Sequence, residues 1–346
     1  MQESNSSRRN FIRNIATAGV ALGLAGGNFS LYGQNVSREK KRVGIIGLDT
    51  SHSVAFTKVL NDPQAAPEYG GYKVVVAYPK GSNDIESSVK RIPGYIEEVQ
   101  KYGVKIVDSI KKLLNEVDVV LLETNDGRLH LEQALQVFKA GKPTFIDKPI
   151  AASLADAMAI FEAAKRYKVP VFSSSSLRYM PSAQEVVQGK VGKVLGAEAF
   201  SPMHLESTHP DLVWYGIHGV ETLYTVMGTG CKSVVRVHTP DTDVVVGTWA
   251  DGRIGTFRGL RKGKPDYGGM AFGEKGNLAL GPYGGYNPLL IQIIKFFQTG
   301  QPPVSAEETT EMFAFMEAAD ESKRHGGVPV TLESAYQKAR QAAARK

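Results

Sequence analysis

The sequence predicts an α/β protein in two parts: a Rossmann-like, doubly wound parallel sheet over residues 42–150, then an α+β domain with an open, mainly antiparallel sheet over 151–332. Three observations predict it. Short apolar runs alternate with helical patterns as far as residue 147. From residue 192 longer period-two strands with turn signals take over. Between them, Phe145-Ile146 runs into Asp147-Lys148-Pro149: an apolar strand stopped by proline, with a lysine at the carboxyl edge where open α/β sheets bind ligands.

Residues 42–47 form a buried strand. Leu48-Asp49-Thr50-Ser51-His52 is a loop with helix-capping chemistry, and 53–61 has apolar residues at helical spacing. Strand, loop and helix in that order place a helix N-terminus where a pyrophosphate binds. A strand over 72–78 follows, then a mostly polar helix over 85–101 that Pro93 is expected to break. Strands over 104–107, 118–123 and 143–147 alternate with helices over 109–115 and 129–140. Beyond residue 150 come an amphipathic helix (153–168), a strand (169–172) and a short helix (183–188). The serines at 173–176 face the crevice and lead to Arg178. Strands over 194–200, 232–238, 243–249 and 254–259 make the second sheet, with the glycines of 268–273 and 281–285 at tight connections. Helices over 288–298 and 307–323 pack beside that sheet or back on the first domain, and 333–346 is a tail.

The N-terminus is an address. Arg8-Arg9-Asn10-Phe11-Ile12 ahead of a short, small-residue apolar run has the layout of a twin-arginine signal over residues 1–33, with a linker over 34–41. The expectation is a periplasmic protein that meets the twin-arginine export machinery. The formal charge of +6 falls to +4 without those 33 residues, and the remaining cations are scattered, so nucleic-acid binding is not predicted. Cys231 is the only cysteine, which excludes an internal disulfide and a cysteine-based metal site. No apolar run approaches the roughly 18 residues of a membrane span. His204, Glu206, His209, Asp211 and His218 lie close in sequence. With no HExxH pattern they read as a polar pocket loop, and no metal is expected.

The order of motifs resembles the glucose–fructose oxidoreductase, inositol dehydrogenase and rhizopine-catabolism family (Gfo/Idh/MocA). The residues that carry it are the first-strand loop, Thr124 six residues before His130, Ala-Gly-Lys-Pro at 140–143 and Asp147-Lys148-Pro149 in place of the usual Glu-Lys-Pro. Leu177-Arg178-Tyr179-x-Pro181 and Gly-Ile-His-Gly-Val-Glu at 216–221 continue it. The resemblance implies that Lys148 contacts substrate and nicotinamide, and that His218 is the acid/base for a sugar or cyclitol hydroxyl. It implies NAD or NADP at Gly47, Leu48, Asp49, Thr50, Ser51, His52, Tyr78, Lys80, Thr124, Asn125, His130 and Asp147. It implies a carbohydrate substrate at Arg178, His209, Trp214 and Glu221, and a homo-oligomer through the second sheet. The chemistry is sound from first principles. Hydride leaves a carbinol carbon as its hydroxyl proton is removed, imidazole takes that proton near neutral pH, and an ammonium stabilises the alkoxide.

Three departures qualify it. Asp49 and His52 stand at the second and third glycines of Gly-x-Gly-x-x-Gly. A carboxylate about 4 Å from a phosphate costs roughly 4 kcal/mol near a protein surface. Either Asp49 turns away to cap the helix and Thr50 and Ser51 donate to the phosphate, or the loop has left NAD(P) for other chemistry. The ribose-binding acid is missing after the second strand, where Lys80 and Ser82 tilt slightly towards NADP. Trp214 stands where the family often has Asp; Asp211, His209 and Glu221 are candidates to replace that acid, and the indole suits a sugar face. The expected function is an exported NAD(P)-dependent oxidoreductase acting on a hydroxyl of a sugar, cyclitol or glycoside, with the cofactor held tightly. A cofactor-free lyase, hydratase or isomerase, a transient-oxidation glycosidase and a non-enzymatic sugar-binding protein are the alternatives.

Overall fold

A computed structural model describes residues 41–264 and 266–343; the expected export signal and the linker up to residue 40 lie outside them. Strands β1 (Arg42–Ile46), β2 (Lys73–Tyr78), β3 (Lys105–Ile106), β4 (Val119–Leu122), β5 (Thr144–Ile146) and β6 (Val171–Ser173) form one sheet. Its order is β3-β2-β1-β4-β5-β6, parallel throughout. β1 after Arg42 and all of β4 are buried, so these runs are continuously apolar rather than alternating. β6 carries the sheet beyond residue 150: the strand expected in the second domain pairs with β5 instead.

The crossover helices are α1 (Ser51–Asn61), α2 (Glu86–Gln100), α3 (Ile110–Leu114), α4 (Gly127–Lys139) and α5 (Leu154–Tyr167). Asn61 ties the end of α1 to β2, donating to Val74 O at 2.8 Å and accepting from Val74 N at 2.8 Å. Pro93 does not break α2, contrary to expectation. Val89 and Pro93 are exposed, so water can meet the carbonyl that the proline leaves without a donor.

The second sheet contains β7 (Val194–Pro202), β8 (Cys231–His238), β9 (Thr242–Trp249), β10 (Ile254–Leu260), β11 (Gly268–Gly273), β12 (Gly276–Leu280) and β13 (Val330–Thr331), in the order β12-β11-β7-β10-β9-β8-β13. Only β7 and β10 pair in parallel among these. The glycines of 268–273, expected at a connection, are strand β11 itself; a Cβ on Gly269 would meet Glu198 O at 2.1 Å, so the backbones approach too closely for a side chain.

Helices α6 (Pro181–Val187), α7 (Ile217–Met227), α8 (Asn287–Thr299), α9 (Ala306–Arg324) and α10 (Leu332–Ala343) complete the fold. α10 replaces the expected tail, because Leu332, Ala335 and Ala339 recur on one face and bury it. α8 returns to the first domain. Its Leu289, Leu290, Ile293, Ile294 and Phe296 share a core with Phe145 and Phe172, the Phe172 and Phe296 rings meeting edge to face at 4.8 Å. α9 packs on β8 and on α5, where Glu317 accepts the Leu154 N–H at 2.7 Å. Between β8, β9 and α9, fully buried Arg236 pairs with Asp243 at 2.7 Å, with Asp211 at 3.0 Å and with Asp320.

Candidate active site

The loops after β1, β4, β5 and β6 face the second domain across a cavity of about 320 Å³. Lys148, two residues past the end of β5, and His218, in the first turn of α7, both line it. His218 is held from behind. The Ser175 hydroxyl lies 2.8 Å from its Nδ1, and Glu221 holds the serine turn, accepting from Ser175 N at 2.7 Å and from the Ser174 hydroxyl at 2.6 Å. Arg178 donates to Glu221 at 2.8 Å and to Glu308 at 2.6 Å. Glu221 and Arg178, expected in the substrate pocket, therefore stand behind it and orient the imidazole. Burial, then the Lys148 ammonium and the neighbouring His52, hold the His218 ring well below the ordinary histidine value, so it is neutral at pH 7.

Trp214 lines the cavity as expected. A wide π-helical turn (Leu212–Gly216) also presents Tyr215, whose ring lies 5.0 Å from that of His218. Tyr267, Tyr283, Tyr286 and His204 complete an aromatic wall that sequence reasoning missed as a site. Hydroxyl pairs fix it: Tyr286 to Ser51 at 3.1 Å, Tyr283 to Ser176 at 3.0 Å and Tyr215 to Tyr267 at 3.3 Å. The available signal was aromatic residues within a glycine-rich stretch, where a plain turn needs none.

At the other end, Thr50, Ser51 and His52 bring the N-terminus of α1 to the cavity, joined by Asn125 and by Ser87 and Arg91 of α2. Asp49 has turned away, but not to cap the helix, which Thr50 does by accepting from His52 N at 3.2 Å. The Asp49 carboxylate is buried beneath the loop and accepts from Asn125 N at 3.0 Å and Ser82 N at 3.1 Å. Gly81 makes room, since a Cβ there would sit 2.0 Å from Asp49 Oδ2.

Burial pushes the Asp49 carboxyl up to about 6. The native state then holds this proton more tightly than the unfolded chain does, so the group's contribution to stability is lost as pH rises from about 4 through about 6, an effect of about 3 kcal/mol. Asp49→Asn lacks that titration. Its stability relative to the parent is expected to rise by about that amount between pH 4 and pH 7 in urea unfolding. A pH-independent difference would refute the assignment.

Several expected cofactor contacts lie outside the cavity. Leu48 is core, Gly47 N donates to Tyr78 O at 2.8 Å, and Tyr78, Lys80 and Thr124 do not reach the lining. His130 is fully buried with its ring nitrogens 2.6 Å from Thr124 O and 3.1 Å from Ile150 O, fastening one strand-end loop to the next. His209 packs on Trp214 at 4.8 Å and lies 3.3 Å from Asp126, while Asp211 goes to Arg236 and Lys323. None of the three candidates for the missing acid lines the cavity. Arg128 joins Asp126 to Asp84 and so ties the loop after β4 to the loop after β2.

The floor holds a cluster of three residues. His52 Nδ1 lies 2.9 Å from Asp147 Oδ2 and 3.9 Å from Glu123 Oε2. Glu123, which the sequence offered only as the end of a strand, is fully buried, and neither carboxylate oxygen has a hydrogen-bond partner. Burial and the neighbouring Asp147 charge raise its pKa well above the carboxylate range.

For a nicotinamide dinucleotide the fit is good at one end. The α1 N-terminus, with Thr50 and Ser51 presented and Asp49 withdrawn, suits a diphosphate, and the Lys148–His218 end suits a reacting ring. On the β2 side Arg128 binds Asp84 and Asp49 takes up the Asn125 N–H, so these groups are already engaged within the protein.

Comparison with known proteins bears on the first domain and on the fold. Residues 41–175 match the oxidoreductase family with an NAD-binding Rossmann fold, Gfo/Idh/MocA. A 1,5-anhydro-D-fructose reductase of Ensifer adhaerens is 28% identical over 144 residues, which is 40% of this chain and 40% of that protein. The fold is that of a probable dehydrogenase from Thermotoga maritima (TM-score 0.69, 21% identity, covering 85% of this chain and 99% of that one). It is also that of a scyllo-inositol dehydrogenase from Lactobacillus casei with bound NAD(H) and scyllo-inositol (TM-score 0.66, 15% identity, covering 85% and 100%). Over its parallel-sheet domain, then, this chain matches the Gfo/Idh/MocA oxidoreductase family.

Proposed function

We propose that this protein is an NAD(P)-dependent oxidoreductase acting on a secondary hydroxyl of a sugar or cyclitol. The observation that carries the reading is the meeting of Lys148, His218 and the α1 N-terminus in one cavity walled by Trp214 and four tyrosines. Aromatic faces bind the apolar face of a sugar ring, and their hydroxyls bind its edges. His218, neutral and tied at Nδ1 to Ser175, presents Nε2 to a substrate hydroxyl and takes its proton. The Lys148 ammonium holds the resulting oxyanion. The nicotinamide, when bound, supplies the hydride acceptor. Glu221 and Arg178 keep the imidazole in place without touching substrate.

A second reading, a cofactor-free lyase or isomerase of a keto sugar, is favoured by one observation: Asp49 occupies the Ser82 and Asn125 N–H groups that would otherwise face a nucleotide. Titration calorimetry with NAD⁺ and NADP⁺, on the parent and on Asp49→Gly, separates the two. Under the oxidoreductase reading the parent binds one of the two nucleotides and Asp49→Gly, restoring the fingerprint glycine, binds it more tightly. No binding by either protein, with turnover of a keto sugar in nucleotide-free solution, overturns that reading in favour of the second.

A further inference from the structure

We propose that His52, Glu123 and Asp147 bind one divalent transition-metal cation at the floor of the cavity. The three come from the first turn of α1, the residue after β4 and the residue after β5. β1, β4 and β5 are adjacent in the sheet, so their following loops converge. One ligand atom from each lies within 4.8 Å of the others. Donors around a cation with bonds of about 2.1 Å stand about 3–3.4 Å apart, so the cluster needs only small side-chain shifts to close on an ion.

Two further observations point to a ligand. Glu123 is fully buried, and both its oxygens lack a partner although Oε2 faces the His52 ring at 3.9 Å. A buried carboxylate in that state is costly, and a cation would give it the partner the protein does not. The other two donors are already oriented. Lys148 N donates to Asp147 Oδ1 at 2.8 Å, which leaves Oδ2 to the cluster, and the His52 ring packs on Phe56 at 5.6 Å and Tyr286 at 4.4 Å. Two carboxylates neutralise a divalent ion. One imidazole with two carboxylates suits Zn²⁺, Mn²⁺ or Fe²⁺ and gives no thiolate for Cu⁺. His52 and Asp147 line the cavity, so open coordination positions face a ligand beside Lys148 and His218, where the cation would polarise its carbonyl or hydroxyl oxygen.

The inference does not rest on the nucleotide reading, and its test needs no turnover. Protein stripped with chelator is titrated with Zn²⁺ and with Mn²⁺ by calorimetry and native mass spectrometry, and its thermal unfolding is followed with and without each ion. The expected result is one equivalent per chain and a higher melting temperature with metal. Glu123→Gln, isosteric and uncharged, is expected to weaken binding by about 100-fold or more, since even outer-shell changes cost about 10–100-fold. His204→Ala, also in the cavity but outside the cluster, retains it. Should Glu123→Gln fold poorly, the visible absorption of Co²⁺ bound to the parent, and its loss in His52→Ala, tests the same three-residue cluster. No saturable binding by the parent, or equal affinity in Glu123→Gln, overturns the proposal and leaves a proton shared by the two carboxyls in place of the ion.

Discussion

His218→Asn is expected to lower kcat on a hydroxyl substrate by about 10²–10⁴-fold, the usual contribution of a positioned general base. Asparagine keeps a polar partner for Ser175, whose hydroxyl meets the native ring at 2.8 Å, so the serine turn and the Glu221–Arg178 pair behind it stay in place. The loss therefore falls on kcat with little change in KM. The pH profile of the parent carries a second signature. A general base works above its pKa, and burial with Lys148 and His52 nearby holds His218 well below the ordinary value. The acid limb of the rate is thus displaced to low pH, and activity stays level through the region where an unperturbed histidine would already be protonated. A variant with parental kcat, or a limb centred on the ordinary histidine pKa, would remove His218 from the chemistry.

Arg236→Met should be the most destabilising single change away from the cavity. The guanidinium is fully buried against Asp243, Asp320 and Asp211, and Asp243 is itself fully buried. Methionine fills much of the volume but leaves Asp320 without its guanidinium partner, and Asp243 and Asp211 with one cation each, Arg261 and Lys323; breaking a buried ion pair from one side costs about 3–5 kcal/mol. Even with Arg236 beside it, burial holds the Asp320 carboxyl up to about 7, so loss of the cation drives that group to its protonated form at pH 7. Urea unfolding should show that loss at pH 7, with part recovered by adding Asp320→Asn. A loss below about 1 kcal/mol would mean the cluster relaxes to solvent.

The fold class was legible because strands flanked by helices must be continuously apolar, and Val119–Leu122 and Val43–Ile46 are. The reach of the parallel sheet was less so: β6 is a three-residue strand before three further serines, too short for its pairing partner to be read. Pro93 misled because a rule about helix interiors yields where the freed carbonyl faces water. Lys148, His218 and Trp214 were singled out by motif and spacing, and all three line the cavity. Glu221 and Arg178 were placed one layer too far forward, since sequence does not say which face of a buried helix looks into a cavity. Glu123 was invisible: a glutamate ending an apolar strand resembles any strand that surfaces there, and only burial without a partner marks it. The tyrosine wall was hidden for a related reason, its members being far apart in the chain and joined only by folding.

The helix α8 sets where this molecule can bend. It comes late in the chain, yet its apolar face is sealed beneath the parallel sheet with Phe145 and Phe172. Peeling α8 off that sheet would strip water-averse surface from Leu289, Leu290, Ile293, Ile294 and Phe296 together, at roughly 10 kcal/mol, so the helix travels with the parallel sheet. Any motion between the halves is therefore taken up at the connections on either side of α8, not within its buried face.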